Sequence, residues 1–344
     1  MGGVSVGELA VQFGCEVVGD PDVVVERVAT LSGATTGALS FLANPAYRPQ
    51  LAQSRASAVV VASGDAEAVP GVALVADDPY LTYARMAAVL NPPAVPQPGI
   101  GSGAVVDPSA SVDATAEIGA NAVIGAGTRI GSHVIVGAGT VIGRNCIVGN
   151  GSRLFPNVTL MDDVVMGARC VVHSAAVIGS DGFGIARGPS GWERVPQVGG
   201  VVIGDDVDVG ASTTIDRGAI EPTRISDGVK LDNQIQIGHN TVIGAHTVMA
   251  GMVGIAGSTT IGANCAFGGN SGTTGHLTIA DGVIITARCT VTGDIPAAGT
   301  FGGVFPHEDI RSHQRNVARY RQLDKLARRL AAVEKQLAKD RTSE

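Results

Sequence analysis

The fold is decided by residues 118–154, IGANAVIGAGTRIGSHVIVGAGTVIGRNCIVGNGSRL. An aliphatic side chain returns there at every sixth position: Ile118, Ile124, Ile130, Val136, Ile142, Val148 and Leu154. The same beat runs back through Val112 and Val106 to Ile100 and on through Leu160, Met166 and Val172 to Ile178. It breaks across 179–202, resumes at Ile203, Val209 and Ile215, slips by four residues, and then holds from Ile225 to Val291, where Thr273 is the one polar member. A six-residue period is the signature of a parallel β-helix. Each hexad supplies a short strand and a turn, three hexads close a triangular coil, and the aliphatic residue points inward onto its equivalents in neighbouring coils. The position after it is mostly Gly, and the expectation is that the chain bends there, in a conformation that Gly tolerates.

Composition agrees. Of 344 residues 48 are Gly and only 3% are aromatic, so packing relies on small and branched aliphatic side chains. Gly does not recur every third residue, which excludes collagen. No apolar run approaches the ~18 residues of a membrane span. The opening MGGVSVGE carries no Lys or Arg, unlike a secretory signal. Five cysteines without a CxxC pair fit neither a disulfide framework nor a zinc ribbon, so a reducing cytoplasm is expected. The net charge of −7 argues against nucleic acid as a partner. That charge is uneven: residues 311–341 hold ten Lys and Arg against three acids, a basic tail on an acidic body.

Outside the repeat, the Pro-rich stretch NPPAVPQP (91–98) closes a separate N-terminal unit. Within it, Ser5 and Glu8 have the spacing of a capping box. Runs 23–28, 58–62 and 72–76 read as strands and 79–90 as an amphipathic helix. The expected organisation is an α/β domain with linker over 1–98, a β-helix over 99–304 and a helical tail over 305–344. In the tail, Leu323, Leu326, Leu330, Val333 and Leu337 follow 3, 4, 3, 4 spacing, an a/d stripe that calls for self-association.

A β-helix has no structural need to interrupt its repeat, so the breaks are where chemistry is expected. The break at 179–202 holds Ser180-Asp-Gly-Phe-Gly184 and the sole Trp, Trp192. Cys146, Cys170, Cys265 and Cys289 each follow a hexad aliphatic by four residues and read as packing rather than as thiol chemistry. Among seven histidines, His133, His246 and His276 lie three residues after a hexad position, where turns are solvated, whereas His239 lies two after Ile237. No nucleophile elbow, P-loop or HExxH occurs. Spacing alone does not choose a catalytic histidine.

The hexads, flanked by FLANPAYRPQL (41–51), SDGFG (180–184), TTIDRG (213–218) and DNQIQIGHN (232–240), resemble the UDP-3-O-(3-hydroxyacyl)glucosamine N-acyltransferases of lipid A synthesis in Gram-negative bacteria. The resemblance spans nearly the whole chain. It implies a mainly β protein with a left-handed parallel β-helix, an N-terminal α/β uridine-nucleotide-binding domain and C-terminal α-helices. It also implies a homotrimer with active sites between subunits and transfer of a 3-hydroxyacyl chain from acyl carrier protein to a glucosamine 2-amine, with no metal or other cofactor. Carried over by motif, Phe41 and Tyr47 sandwich the uracil and Asn44 bonds its edge. His239 is the general base, and the backbone N–H of Gly257, eighteen residues on, faces the oxyanion. His276 contacts phosphate or sugar, and Asp232 orients His239 or the amine. On the tail, Arg311, Arg315 and Arg319 dock the acidic carrier protein. Residues 286–290 (TARCT) carry no large side chain to block a long acyl group.

Four rivals remain open. A UDP-N-acetylglucosamine O-acyltransferase starts directly with hexads and lacks the extra N-terminal domain. An acetyl-CoA-dependent hexapeptide acyltransferase differs in donor. A zinc carbonic anhydrase of this fold needs three converging histidines, for which His239, His246 and His276 are the candidates. A non-catalytic scaffold predicts no turnover and leaves the DNQ…GHN cluster without a role.

Overall fold

The computed structural model describes residues 2–341, with side chains through Ala338. Residues 342–344 of the expected tail, and the side chains of Lys339, Asp340 and Arg341, lie outside the described set. The chain divides into two compact units, one ending at Val95 and one beginning at Pro96.

The first unit is a five-stranded sheet in the order Glu16–Val18, Val72–Val75, Ala58–Val61, Ala38–Phe41, Arg27–Val28. Only the pair at the Glu16 edge is antiparallel. Helix Val6–Phe13 opens on the expected capping box: Ser5 Oγ accepts from Glu8 N–H, and the Glu8 carboxylate accepts from Ser5 N–H. Helix Pro79–Leu90 is capped by Asp78, which accepts from Tyr80 and Leu81 N–H. The run 23–28 is two short strands rather than one. Val24–Val25 pairs with Val4–Ser5, and Arg27–Val28 joins the main sheet. Strand Ala38–Phe41 was hidden in the sequence because its fully buried Ser40 interrupts the aliphatic run.

In the second unit the hexads form three parallel sheets of nine, ten and eleven strands. Most strands are two residues long, and in the regular coils each pairs with the strand eighteen residues on, as Ile118 does with Val136 and Ile124 with Ile142. The aliphatic residues from Ile118 onward are buried into one continuous core. Each such side chain contributes roughly 1.5–3 kcal/mol by leaving water. A single coil buries almost nothing, so this stabilisation comes from stacking.

The glycine after each aliphatic residue has a different reason from the one expected. The left-handed turn residue is two positions further on: Asn121, Gly127, His133, Gly139, Asn145 and Gly151 all have φ between 54 and 69°. The glycines at 119, 125, 131, 137, 143 and 149 have ordinary φ. They are small because the next coil passes close by: a Cβ on Gly119 would sit 2.6 Å from Ala138 N. The hexad therefore uses Gly for close approach at one position and a left-handed residue at another, often Gly or Asn but also His133 and Arg169.

The cysteines join a ladder of buried hydroxyls. Thr128 and Ser152 donate to turn carbonyls of the next coil, at Gly143 and Gly167. Cys146 and Cys170 Sγ donate likewise to Met161 and Gly204. Burial pushes both thiols up, which suits packing rather than nucleophilic work.

Both register breaks are insertions. At the first, Ile178 pairs with Ile215, because residues between them leave the coil as an antiparallel hairpin, Ile185–Gly188 with Gly191–Arg194. At the second, Ile203 pairs with Ile225 and Ile215 with Ile237, a 22-residue coil that accommodates the loop before Thr223. Beyond strand Gly299–Phe301 come helices Ile310–Tyr320 and Leu323–Arg341. The stripe Leu323, Leu326, Leu330, Val333 and Leu337 is exposed along the second. Among the described residues no helix is long and apolar enough to cross a membrane.

Candidate active site

The two insertions and the coil after them enclose a cleft of about 780 Å³. The hairpin supplies Asp181–Ile185 and Arg194–Pro196, the 22-residue coil supplies Asp216, Gln236 and His239, and the next coil supplies Ile255–Gly257. Its size is that of a small-molecule site.

His239 is half-buried between two glycines. A Cβ on Gly182, from the hairpin base, would lie 2.7 Å from His239 Cβ, and one on Gly257 would lie 2.7 Å from His239 Nε2. Only residues without side chains allow the imidazole to lie flat here. Its Nδ1 is 2.9 Å from Asn240 Oδ1. The Asn240 amide is held in one orientation, since Nδ2 donates to Glu221 O at 2.8 Å and Oδ1 accepts from Ala219 N–H at 2.9 Å. Oδ1 is thus an acceptor, so Nδ1 is the donor, and in the uncharged form of the ring the lone pair falls to Nε2, on the Gly257 side. Asn240 itself sits at a left-handed turn position, φ 58°, which Asn tolerates well. The four-residue slip in the hexads is the loop that grips it.

The N–H of Gly257 is free for a sequence-level reason. At the equivalent turn position, two beyond the aliphatic residue, the N–H groups of Arg144, Ala168, Ala211 and Ala263 are capped by an Asp or Asn side chain of the next coil. The residue one coil beyond Gly257 is Gly275, which has no side chain to cap with. Gly257 N–H therefore has no acceptor among the described residues. An uncapped backbone donor beside an imidazole can serve a developing oxyanion.

Asp216, which sequence reasoning passed over, is the half-buried carboxylate of this cleft, beside the more exposed Asp181. Ser180 Oγ donates to its Oδ1 at 3.0 Å and Gln236 Nε2 to its Oδ2 at 2.9 Å. Gln236 is fixed in turn by a short contact to Thr214 Oγ1. Burial pushes the Asp216 carboxyl above the usual carboxylate range, against the two hydrogen bonds and His239, which lower it. Asp232, expected to orient His239, is elsewhere: it is exposed, accepts from Asn233 N–H at 2.8 Å, and does not line the cleft. Within one chain the orienting contact belongs to Asn240. The signal for both missed residues was present, because Asp216 ends a strand at one insertion and Asn240 follows the histidine.

His276 is an exposed left-handed turn residue outside the cleft lining, tied to it by its N–H to Gly257 O at 3.1 Å. His239, His246 and His276 do not cluster: among the described residues no three His, Cys, Asp or Glu side chains are grouped to hold a metal ion.

In the first unit, Phe41 ends a strand and stacks on Tyr83 at 4.2 Å, with Tyr80 at 5.4 Å. Tyr47 is 52% exposed, so it is not part of the core. Asn44 caps the short turn to Tyr47, its Oδ1 accepting from Ala46 N–H at 3.0 Å. An exposed aromatic, an amide and a half-buried ring thus occupy one segment of seven residues. Tyr80 and Tyr83 were not anticipated, because they come from a helix forty residues away.

On helix Ile310–Tyr320, Arg311, Arg315 and Arg319 recur every fourth residue and are exposed. Arg315 and Arg319 bond neutral partners, Ser312 Oγ and Asn316 Oδ1. None of the three pairs with a carboxylate among the described residues.

The family model described as UDP-3-O-(3-hydroxymyristoyl) glucosamine N-acyltransferase, LpxD, matches residues 22–89. Bacterial transferase hexapeptide and succinyl-transferase hexapeptide models match 122–155 and 258–293. The UDP-3-O-acylglucosamine N-acyltransferase of Xanthomonas axonopodis pv. citri is 54% identical over 95% of this chain and 97% of its own length. That of Pseudomonas aeruginosa (strain LESB58) is 50% identical over 97% and 95%. Among solved structures, the UDP-N-acetylglucosamine acyltransferase of Francisella novicida is 25% identical with a TM-score of 0.50, covering 60% of this chain and 67% of that one. The Arabidopsis UDP-N-acetylglucosamine acyltransferase shares the fold, with a TM-score of 0.53 at 18% identity over 63% and 77%.

Proposed function

The chain belongs to the UDP-3-O-acylglucosamine N-acyltransferase family, and from that premise we propose that it moves a (3R)-3-hydroxyacyl chain from acyl carrier protein to the 2-amine of UDP-3-O-(3-hydroxyacyl)glucosamine in lipid A biosynthesis. The observation that carries this reading is the contact of His239 Nδ1 with the oriented Asn240 amide, which leaves Nε2 against Gly257.

The amine attacks the thioester carbonyl and becomes acidic as the C–N bond forms. His239 Nε2 takes that proton, the task for which a neutral imidazole is suited. The carbonyl oxygen becomes an oxyanion and meets the uncapped N–H of Gly257, which needs no reorganisation to reach it. Collapse breaks the C–S bond, and the pantetheine thiolate leaves with the proton returned by the imidazolium. Transfer is direct, without a covalent enzyme intermediate or a cofactor.

In the same reading, Phe41, Asn44 and Tyr47 hold the uracil, while His276 contacts phosphate or sugar from the edge of the cleft. Asp232, displaced from the orienting role within one chain, is left with a substrate contact. Arg311, Arg315 and Arg319 receive carrier protein, supported by their exposure and their lack of carboxylate partners. The exposed stripe from Leu323 to Leu337 supports self-association, for which a homotrimer is the proposed state. The cytoplasm is the proposed compartment.

The test is turnover of UDP-3-O-(3-hydroxyacyl)glucosamine with 3-hydroxyacyl carrier proteins of several lengths, and with acetyl-CoA as a parallel donor. Formation of the 2,3-diacylated nucleotide from carrier protein is the expected result. Turnover with acetyl-CoA alone, or acylation only of UDP-N-acetylglucosamine, favours the rivals.

A further inference from the structure

Asp216 lacks the partner that its position demands. It lines the cleft beside His239, it is half-buried, and both of its hydrogen-bond donors, Ser180 Oγ and Gln236 Nε2, are neutral. No Lys, Arg or His forms an ion pair with it among the described residues. The neighbouring cations are engaged elsewhere. Arg217, next in the chain, turns its Nη2 to Asp162 O at 2.6 Å and lies 3.8 Å from the Asp163 carboxylate. Arg194, across the cleft, approaches Asp181 at 4.0 Å. A carboxylate withdrawn from water is costly unless paired with positive charge. Two neutral donors hold its plane fixed and leave acceptor capacity on both oxygens toward the cleft.

Resting on the acyltransfer reading above, we propose that Asp216 is the anchor for the substrate's 2-ammonium group. The nucleophilic nitrogen is the one group of the substrate that carries positive charge, and it must stand near His239. Pairing with Asp216 draws in the charged form. The ammonium then loses its first proton to solvent, and His239 takes the second as the C–N bond forms. The product nitrogen is a neutral amide, so the ion pair is absent from the product complex. Asp216 thereby binds substrate in preference to product, and amine in preference to a hydroxyl at the same carbon. The charged and titratable groups facing this carboxylate are His239 from its partner coil and Asp181 from the hairpin base.

The experiment measures binding to the full-length protein, by calorimetry at pH 6.5, of UDP-3-O-(3-hydroxyacyl)glucosamine and of its counterpart with a hydroxyl at carbon 2. The wild type is expected to hold the amine about tenfold tighter, the scale of one charge-assisted hydrogen bond. In Asp216→Asn the ratio falls to near one, while affinity for the hydroxyl counterpart stays within about twofold. That second ligand reports whether the cleft is intact. An unchanged ratio in the variant, or an equal loss for both ligands, overturns the assignment. A wild type that turns over the amine yet binds both ligands equally overturns it alone. A wild type that binds neither overturns the acyltransfer reading, and this assignment with it.

Discussion

His239 Nδ1 lies 2.9 Å from Asn240 Oδ1, and the Asn240 amide is itself oriented by Glu221 O and Ala219 N–H. The histidine's Nδ1 side is therefore held by a loop that exists only because this coil is four residues longer than the regular eighteen. Asn240→Ala releases the ring and its tautomer. The expected result is a fall in kcat of about tenfold to a hundredfold, a partial loss that reaches only the lower edge of what a general base contributes, with KM for the carrier protein unchanged. Steady-state kinetics on a variant with wild-type circular dichroism checks it.

Gly257→Ala places a Cβ 2.7 Å from His239 Nε2 and 3.0 Å from Cε1. The ring must move, and the N–H of residue 257 moves with the strain. We expect kcat to fall by about a hundredfold, comparable to loss of one oxyanion donor. Because residue 257 has ordinary φ, the fold tolerates the change, so a thermal midpoint within a few degrees of wild type accompanies the loss.

Gly149 and Gly151 are two residues apart and obey different rules. A Cβ on Gly149 runs into the Gly167 carbonyl of the next coil, whereas Gly151 has φ 68° and only Arg169 Cγ at 3.7 Å. Gly149→Ala is expected to destabilise by about 1–3 kcal/mol through overpacking. Gly151→Asn is expected to cost less than about 1 kcal/mol, because Asn145 and Asn157 already occupy that conformation. Urea unfolding of the three proteins at a common concentration separates the two mechanisms.

Asp216 also predicts a pH dependence of stability. Burial raises its carboxyl in the folded protein, so the folded state holds that proton more firmly than the unfolded chain does. The group therefore weakens the fold as pH rises through its raised folded value, and the penalty is relieved at lower pH. Asp216→Asn removes the penalty. The variant should be at least as stable as wild type at pH 7.5, with the advantage shrinking toward pH 4. An advantage that grows on acidification contradicts the assignment.

Reversing Arg311, Arg315 and Arg319 to Glu is expected to raise the apparent KM for the acyl carrier protein and to flatten its dependence on salt. Turnover at saturating carrier protein should persist, since these residues are remote in sequence from the cleft lining. Unchanged kinetics would remove the docking role.

Much of this architecture was legible in the six-residue beat, because inward residues of a β-helix must be apolar at a fixed interval. The breaks in that beat marked both insertions that build the cleft. The small residue after each aliphatic was also legible, but its cause was not: close approach of the next coil is a relationship between residues eighteen apart. The geometry of the candidate site was legible only in part. His239 and Gly257 came from motif resemblance, and the uncapped N–H becomes readable once Gly275 is compared with Asp162 and Asp281 at the same position of their hexads. Asn240 and Asp216 were missed because their importance depends on which neighbours hold them and which do not. Tyr80 and Tyr83 joined Phe41 through tertiary packing that no local pattern announces.

In the proposed reaction Nε2 of His239 takes the proton from the attacking amine. The most direct measurement is single-turnover acyl transfer by His239→Gln, with substrates prebound and the fold verified by circular dichroism. Loss of about a hundredfold to ten-thousandfold in the transfer rate is predicted, the range for a general base, with nucleotide-sugar affinity retained. A folded variant that transfers the acyl chain within about threefold of the wild-type rate would contradict the account.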